Sequence, residues 1–380
     1  MPASPSTARA LNDRLALRLM QDEGPLTAGQ LKKLTGLSRP TVADLVERLQ
    51  GAGLVEVVGE SGAERRGPNA RLYGIVADRA HLAALDVRTD SVTVLVADLL
   101  GTTLAEATLP IGAQDGTGSA VAGAAALLER TAKEAGAERL HSVGIGAPGL
   151  IDPATGELRD TMGLPAWHRE LVAALHARLP AAVLVENEVN LAAVAEHRLG
   201  AARGQDDFVL FWLGQGVGGA VVLGGGLRRG VAGGAGEIGL LPVPGTGGLP
   251  SATGCDGGFH ALVGAEGVVR LGASHGLAGD AVALVRGAEG PFLDALAERI
   301  AIGAAAVVSV LDPGLVVLGG ELGHAGGESL AARVRRRLAG LTPLDAEVRP
   351  SVLGDRAVLR GALLVARDAA QDEVFGVPSA

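Results

Sequence analysis

Sulfur, aromatic rings and lysine are all scarce in this 380-residue chain. Its single cysteine, Cys255, excludes an internal disulfide and suits a reducing compartment. Aromatic residues make up 2 % of the chain against 48 % hydrophobic residues, so the core must be assembled from Ala, Val and Leu. Lysine occurs three times, which leaves nearly all basic charge to arginine. The N-terminus lacks the basic-then-apolar pattern of a secretory signal. The longest apolar run, residues 301–320, is broken by Asp312-Pro313 and is too short to span a bilayer. These absences lead us to expect a soluble cytoplasmic protein with no membrane association. Glycine is abundant, at 58 residues, but follows no collagen period and forms no low-complexity tract. The length allows two or three domains.

A net charge of −9 excludes a protein that coats nucleic acid indiscriminately. The charge is unevenly placed, however. Residues 1–76 hold 10 Lys+Arg and 8 Asp+Glu, a balance of +2, and the remainder holds 23 and 34, a balance of −11. Such an acidic body weakens non-specific sliding on DNA and leaves affinity to a local patch.

The positive segment contains the most informative stretch, Thr27–Val55, which reads as two short amphipathic helices around a turn at Gly36-Leu37-Ser38. Ser38 is placed to cap the second helix, and Pro40 suits its first turn. Val42, Leu45, Val46 and Leu49 fall at i, i+3, i+4 and i+7 and form one apolar face. A helix that reads DNA needs this construction, with one side packed on its own domain and the first turn free for a major groove. Ser38, Arg39, Pro40 and Thr41 are therefore the candidate DNA contacts, Arg39 and Thr41 for base edges and Pro40 for a thymine methyl. Asp44 and Glu47, further along, oppose phosphate and limit deep entry to that first turn. An arm at 1–7 is expected to be disordered. A helix over 8–22 with Leu11, Leu15 and Leu19 on one side precedes the pair. Strands at 54–58 and 71–76 follow, joined by the polar loop GESGAERRGPNA. Three helices and a hairpin make a winged helix over residues 8–76, with Arg65 and Arg66 near the wing tip in reach of phosphate or a minor groove.

From residue 77 to 380 the pattern alternates between strands and helices in two similar rounds. Each round opens with a hairpin, at residues 81–100 and 208–223. This predicts two α/β lobes with a cleft between them.

Six segments in order carry a family resemblance: GIGAPGLID (144–152), LPAW (164–167), ENEVNLAAVAEH (186–197), LGQGVGGAVVLGGGLRRG (213–230), GEIG (236–239) and DPGLVVLGGEL (312–322). With the winged helix in front of them, the chain resembles the ROK family (repressors, open reading frames and kinases) over roughly residues 9–375. The resemblance implies an α/β fold in which an N-terminal winged helix-turn-helix precedes an actin-like, two-lobed sugar-kinase domain. It also implies that the repressors of the family are the nearest functional type.

Residue by residue, the kinase chemistry of the family is altered. Its phosphate loop, Asp-aliphatic-Gly-Gly-Thr, reads here Asp86-Val87-Arg88-Thr89-Asp90, without either glycine and with a carboxylate that repels phosphate. Gln215 replaces a Thr in the second loop, whose glycines 214, 216, 218 and 219 are also what a tight hairpin needs. Glu188 stands at the base position, one methylene longer than the family's Asp. The four zinc positions read Leu240, Ser251, Thr253 and Gly258, while Cys255 falls off the ligand register, so no metal and no cofactor are expected. Among the sugar contacts, Gly163, Leu240 and His260 depart from the pattern, whereas Asn187, Glu188 and Glu237 keep it. Asn187, Glu188, Glu237 and His260 are the candidate effector-binding residues. Glu237 also suits a purely structural role, and His260 suits a plain surface histidine. The resemblance thus implies a homodimeric or homotetrameric repressor that binds a double-stranded DNA operator and responds to a sugar or sugar-derived effector. Two alternatives remain open, a bifunctional ROK sugar kinase and a ligand-independent DNA-binding dimer.

Overall fold

A computed structural model describes residues 5–61, 70–112, 114–159, 166–251 and 257–376, with side chains from residue 8 onward. Its N-terminal part runs α1 (Pro5–Glu23), β1 (Leu26–Thr27), α2 (Ala28–Thr35), α3 (Arg39–Gly51), β2 (Val55–Ser61) and β3 (Ala70–Ile75). The three strands pair antiparallel in the order β1-β3-β2. Thr27 and Gln30 form a reciprocal capping box that starts α2, and Gly36, at φ 71°, closes it. The buried face of α3 is Val42, Leu45, Val46 and Leu49, the face expected from spacing.

The buried face of α1 is not the expected one. Ala16, Leu17 and Met20 are buried, whereas Leu11 and Leu15 face solvent at 53 % and 42 % exposure. Two apolar stripes compete on this helix, and the one containing small Ala16 lets α1 approach α2 and α3 closely. A third side of α1 is tied elsewhere by Arg14, Arg18 and Gln21, described below.

The first lobe comprises β4 (His81–Val87), β5 (Ser91–Asp98), β6 (Thr103–Pro110), α4 (Thr117–Glu134), β7 (Leu140–Ala147), α5 (Trp167–Arg178) and β8 (Ala182–Asn187). Its sheet has the order β6-β5-β4-β7-β8, antiparallel through β6, β5 and β4 and parallel through β4, β7 and β8. Helix α6 (Glu188–Leu199) leads to the second lobe. That lobe holds β9 (Phe208–Leu213), β10 (Val217–Leu223), β11 (Gly226–Arg228), α7 (Gly258–Val263), α8 (Ala265–Ser274), α9 (Ala281–Val285), α10 (Pro291–Leu311), β12 (Leu315–Gly319), α11 (Gly320–Leu338) and β13 (Glu347–Pro350). Its order, β11-β10-β9-β12-β13, repeats the arrangement of the first sheet. Edge strands β6, β11 and β13 are additions to the elements expected from sequence. They are short or polar and gain their order from pairing with an inner strand.

The last helix, α12 (Ala357–Val374), returns to the first lobe and lies between β7 and α6. Glycines make this closeness possible. A Cβ at Gly361 would meet the Leu191 backbone of α6, and one at Gly144 would meet the Ala362 backbone of α12. At its far end α12 holds α1. Gln371 donates to Gln21 at 2.8 Å, and Asp372 pairs with Arg14 and, at 4.0 Å, with Arg18. The N-terminal domain is thus carried on the terminal helix of the body.

Candidate nucleic-acid interface and effector cleft

Helix α3 begins where its cap dictates. Ser38 sits in extended backbone, and its Oγ accepts from the Thr41 amide at 3.3 Å and lies 2.7 Å from Thr41 Oγ1. That cap leaves Arg39 and Pro40 exposed at the start of the helix, where the unpaired amides and the helix dipole favour an anion. Arg39 makes no ion pair with any described residue. The hydroxyl of Thr41 is engaged with Ser38, so its methyl is the part left for a base. Arg48, by contrast, faces inward to α1, donating to Asp13 at 2.6 Å and pairing with Asp44. Sequence reasoning missed Lys32 and Lys33, exposed in the last turn of α2 next to the Gly36 turn, where they add positive charge beside α3. Arg65 and Arg66 lie outside the described residues.

Between the lobes lies a cavity of about 650 Å³, lined from the first lobe by the ends of β4 and β8 and from the second by the β9–β10 turn and the 233–240 segment. Asn187 and Glu188 sit where β8 becomes α6. Asn187 Oδ1 caps α6 by accepting from the amides of Val189 (2.9 Å) and Asn190 (3.2 Å). Its Nδ2 donates to the Gly149 carbonyl at 3.1 Å and to Glu188 Oε2 at 2.7 Å. Asn187 therefore spends its hydrogen bonds on shaping the site, and Glu188 and Glu237 line the cavity with carboxyl groups. Next to them Glu186 accepts from Arg229 at 2.6 Å and from Asn190 at 2.9 Å.

Burial, reinforced by the nearby carboxylates of Asp86, Glu237 and Glu321, pushes the Glu188 carboxyl up to about 8. Burial likewise raises Glu237. Glu188 is thus protonated at neutral pH and able to donate as well as accept. A carboxyl whose folded pKa exceeds its unfolded value favours the folded state most below the unfolded value. That contribution disappears as pH climbs through the folded one. We expect Glu188→Gln to lose this trend. Between pH 5 and pH 8.5 the wild-type melting temperature should fall relative to that of the variant, with thermal melts across that range as the check. Parallel curves would mean that Glu188 is not perturbed.

His260 is not among the residues that line this cavity. It lies in α7 with its ring against Gly264, and burial lowers its pKa. Its Cβ lies 3.6 Å from where a Cβ on Gly239 would be, in the 3-10 turn Ile238–Leu240, and Leu240 of that turn lines the cavity. Of the four zinc positions, Leu240, Ser251 and Gly258 are described, and none of these side chains is a metal ligand of the soft or imidazole type. Gly258 is buried at φ 62° against the carbonyls of Gly239 and Leu241, a close backbone approach that requires glycine. Thr253, Cys255 and Gly163 lie outside the described residues.

Two glycines of the β9–β10 hairpin, Gly214 and Gly219, have packing reasons to be there, whereas a Cβ at Gly216 would meet open space. A Cβ at Gly214 would collide with the Glu321 carboxylate, and Gly219 and Gly236 face each other backbone to backbone. The β4–β5 turn is a tight hairpin closed by the Arg88 amide donating to the Ser91 carbonyl at 2.9 Å. The Arg88 side chain enters the cleft and donates to Asp86 at 3.0 Å. Burial raises the Asp86 carboxyl, and the Arg88 charge opposes that rise. A second cavity of about 550 Å³ adjoins the first beyond Gln215 and Glu321.

The ROK family model matches residues 82–369, and the MarR family model matches residues 11–67. The chain is 30 % identical over 257 residues to a glucokinase of Halalkalibacterium halodurans, covering 60 % of this chain and 76 % of that enzyme. It is 26 % identical over 243 residues to the DNA-binding transcriptional dual regulator NagC of Escherichia coli, covering 62 % of this chain and 58 % of the regulator. A solved ROK family transcriptional regulator, a homologue of the E. coli MLC protein, superposes with a TM-score of 0.74 over 97 % of this chain and 98 % of its own. At 18 % identity that likeness concerns the fold, and it extends over both the winged helix and the body.

Proposed function

The chain belongs to the ROK family, with a MarR-type winged helix at its N-terminus, and from this premise we propose that it is a sequence-specific transcriptional repressor controlled by a sugar or a related small molecule. The observation that carries the reading is the capped, solvent-facing first turn of α3, Ser38 to Thr41, in a domain mounted on the ROK body. Ser38, Arg39, Pro40 and Thr41 contact the operator, Arg65 and Arg66 reach the backbone or a minor groove from the wing, and two heads on a symmetric homo-oligomer read a palindrome. Asn187, Glu188 and Glu237 shape the effector site. Effector binding changes lobe closure and with it the spacing of the heads, which requires different affinities for the two spacings. The NagC relative, a DNA-binding regulator, and a xylose repressor of Caldicellulosiruptor bescii, 25 % identical over 235 residues, support this assignment.

The glucokinase relative makes kinase activity the reading to exclude. A phosphate cradle works by bringing backbone amides close to oxygen, and here the corresponding turn carries three side chains, Arg88, Thr89 and Asp90. We expect no ATP consumption with any member of a sugar panel, while millimolar effector raises the melting temperature and changes operator affinity. The experiment starts from genomic DNA captured by the purified protein and sequenced. Capture without any enriched sequence, or turnover of ATP with a hexose, would overturn the proposal.

A further inference from the structure

One guanidinium reaches three separate parts of the molecule. Arg88 Nε donates to Asp86 at the end of β4, in the first lobe, at 3.0 Å. Its Nη1 lies 3.5 Å from Glu321 Oε1, in the first turn of α11 in the second lobe. Its Nη2 donates at 3.2 Å to the carbonyl of Asp355, in the 3-10 turn that opens α12. The base of the arginine is fixed as well. Its amide is held in the hairpin, and its carbonyl accepts from His168 Nε2 at 3.2 Å. The forked, permanently charged guanidinium is suited to such a three-way contact, and a lysine is not.

We propose that Arg88 is a latch between the lobes, which sets the width of the cleft and the seat of α12 without any bound molecule. Asp86 orients the guanidinium, Glu321 supplies the grip on the second lobe, and the Asp355 carbonyl registers the foot of α12 against both. The lobes are bridged again at Glu186 and Arg229. Glu186 lies at the end of β8, two strands along the sheet from Asp86, and so roughly 10 Å away. Releasing Arg88 leaves that bridge in place, together with the packing of α6 against β9 and β10 and the hydrogen bond from Ser351 Oγ to Glu196 on α6, and the cleft opens about those remaining contacts. This inference concerns the resting position of the lobes and does not depend on the identity of an effector or an operator.

The test measures the distance between the lobes in the full-length protein. On a Cys255→Ser background, Glu129→Cys on α4 and Arg336→Cys on α11 place spin labels on exposed positions of the two lobes. Pulsed electron paramagnetic resonance then compares the parent with Arg88→Ala and Glu321→Gln. Arg88→Ala strands the buried Asp86 carboxyl and is liable to disturb folding. Glu321→Gln removes the negative charge through which the second lobe holds the guanidinium and leaves the Arg88–Asp86 pair intact. The expected result is a distribution shifted to longer distances and broadened in Glu321→Gln, and in Arg88→Ala wherever that variant folds. A folded Glu321→Gln protein with the parent's distribution overturns the proposal.

Discussion

Arg39→Ala is expected to weaken operator binding by about 1–3 kcal/mol, roughly 5- to 150-fold, and to relax base preference at one position in each half-site. The argument rests on what Arg39 does not do for the fold. It is exposed, makes no ion pair with any described residue, and follows a cap supplied by Ser38. Its loss should leave the melting temperature unchanged, so reduced affinity cannot be traced to unfolding. Ser38→Ala is the informative contrast. It removes the cap, which costs about 1 kcal/mol of helix stability, and releases Thr41, so both stability and affinity should fall. Fluorescence anisotropy with the captured operator and a scrambled duplex, at fixed salt, separates the two effects. Equal affinity of Arg39→Ala and wild type for the operator would remove the first turn of α3 from the interface.

The parts of this molecule that were legible in the sequence are those whose cause is local. Ser38 and Pro40 mark the start of α3 because capping and proline geometry act within four residues. The apolar face of α3 follows from its spacing. The strand-to-helix segment at 186–197 was visible through its family resemblance, while the role of Asn187 as the cap of α6 emerged only from the structure. Long-range causes were not legible. On α1 two apolar stripes compete, and the choice of Ala16, Leu17 and Met20 over Leu11 and Leu15 depends on α12 taking the remaining side through Arg14 and Gln21. Arg88 stood out in the sequence only as a lost glycine. Its partners Glu321 and Asp355 are more than 200 residues away and carry no local signal. His260 is a candidate in the sequence because it stands where the family carries a sugar-contacting carboxylate, and which side chains line the cavity is set by the packing of α7 on the 3-10 turn at Ile238–Leu240, which leaves no local signal.

Gly144→Ala should be among the most damaging single changes available to the body, although it adds one methyl group. Gly144 lies on β7, where the backbone of α12 crosses the sheet. The new Cβ would sit 2.9 Å from the Ala362 carbonyl carbon and closer still to its oxygen. A side chain in its path could rotate away. A helical carbonyl cannot, and α12 is held from the other side by Gly361 against Leu191. The helix must therefore lift as a unit. Overpacking typically costs about 1–3 kcal/mol, and this case belongs at or above the top of that range because backbone meets backbone. Gly118→Ala is the control. It lies in α4 with open space where its Cβ would be, and it should be neutral or gain up to about 1 kcal/mol from reduced chain entropy. Urea titrations of the two variants would show the difference directly. The functional consequence follows from the far end of the same helix. Gln371 and Asp372 hold Gln21 and Arg14 of α1, so a lifted α12 shifts the winged helix that it carries. Operator affinity should then fall in Gly144→Ala even under conditions where the body remains folded. If the variant matched wild type in both stability and operator affinity, α12 would not be the rigid strut that its glycine contacts describe.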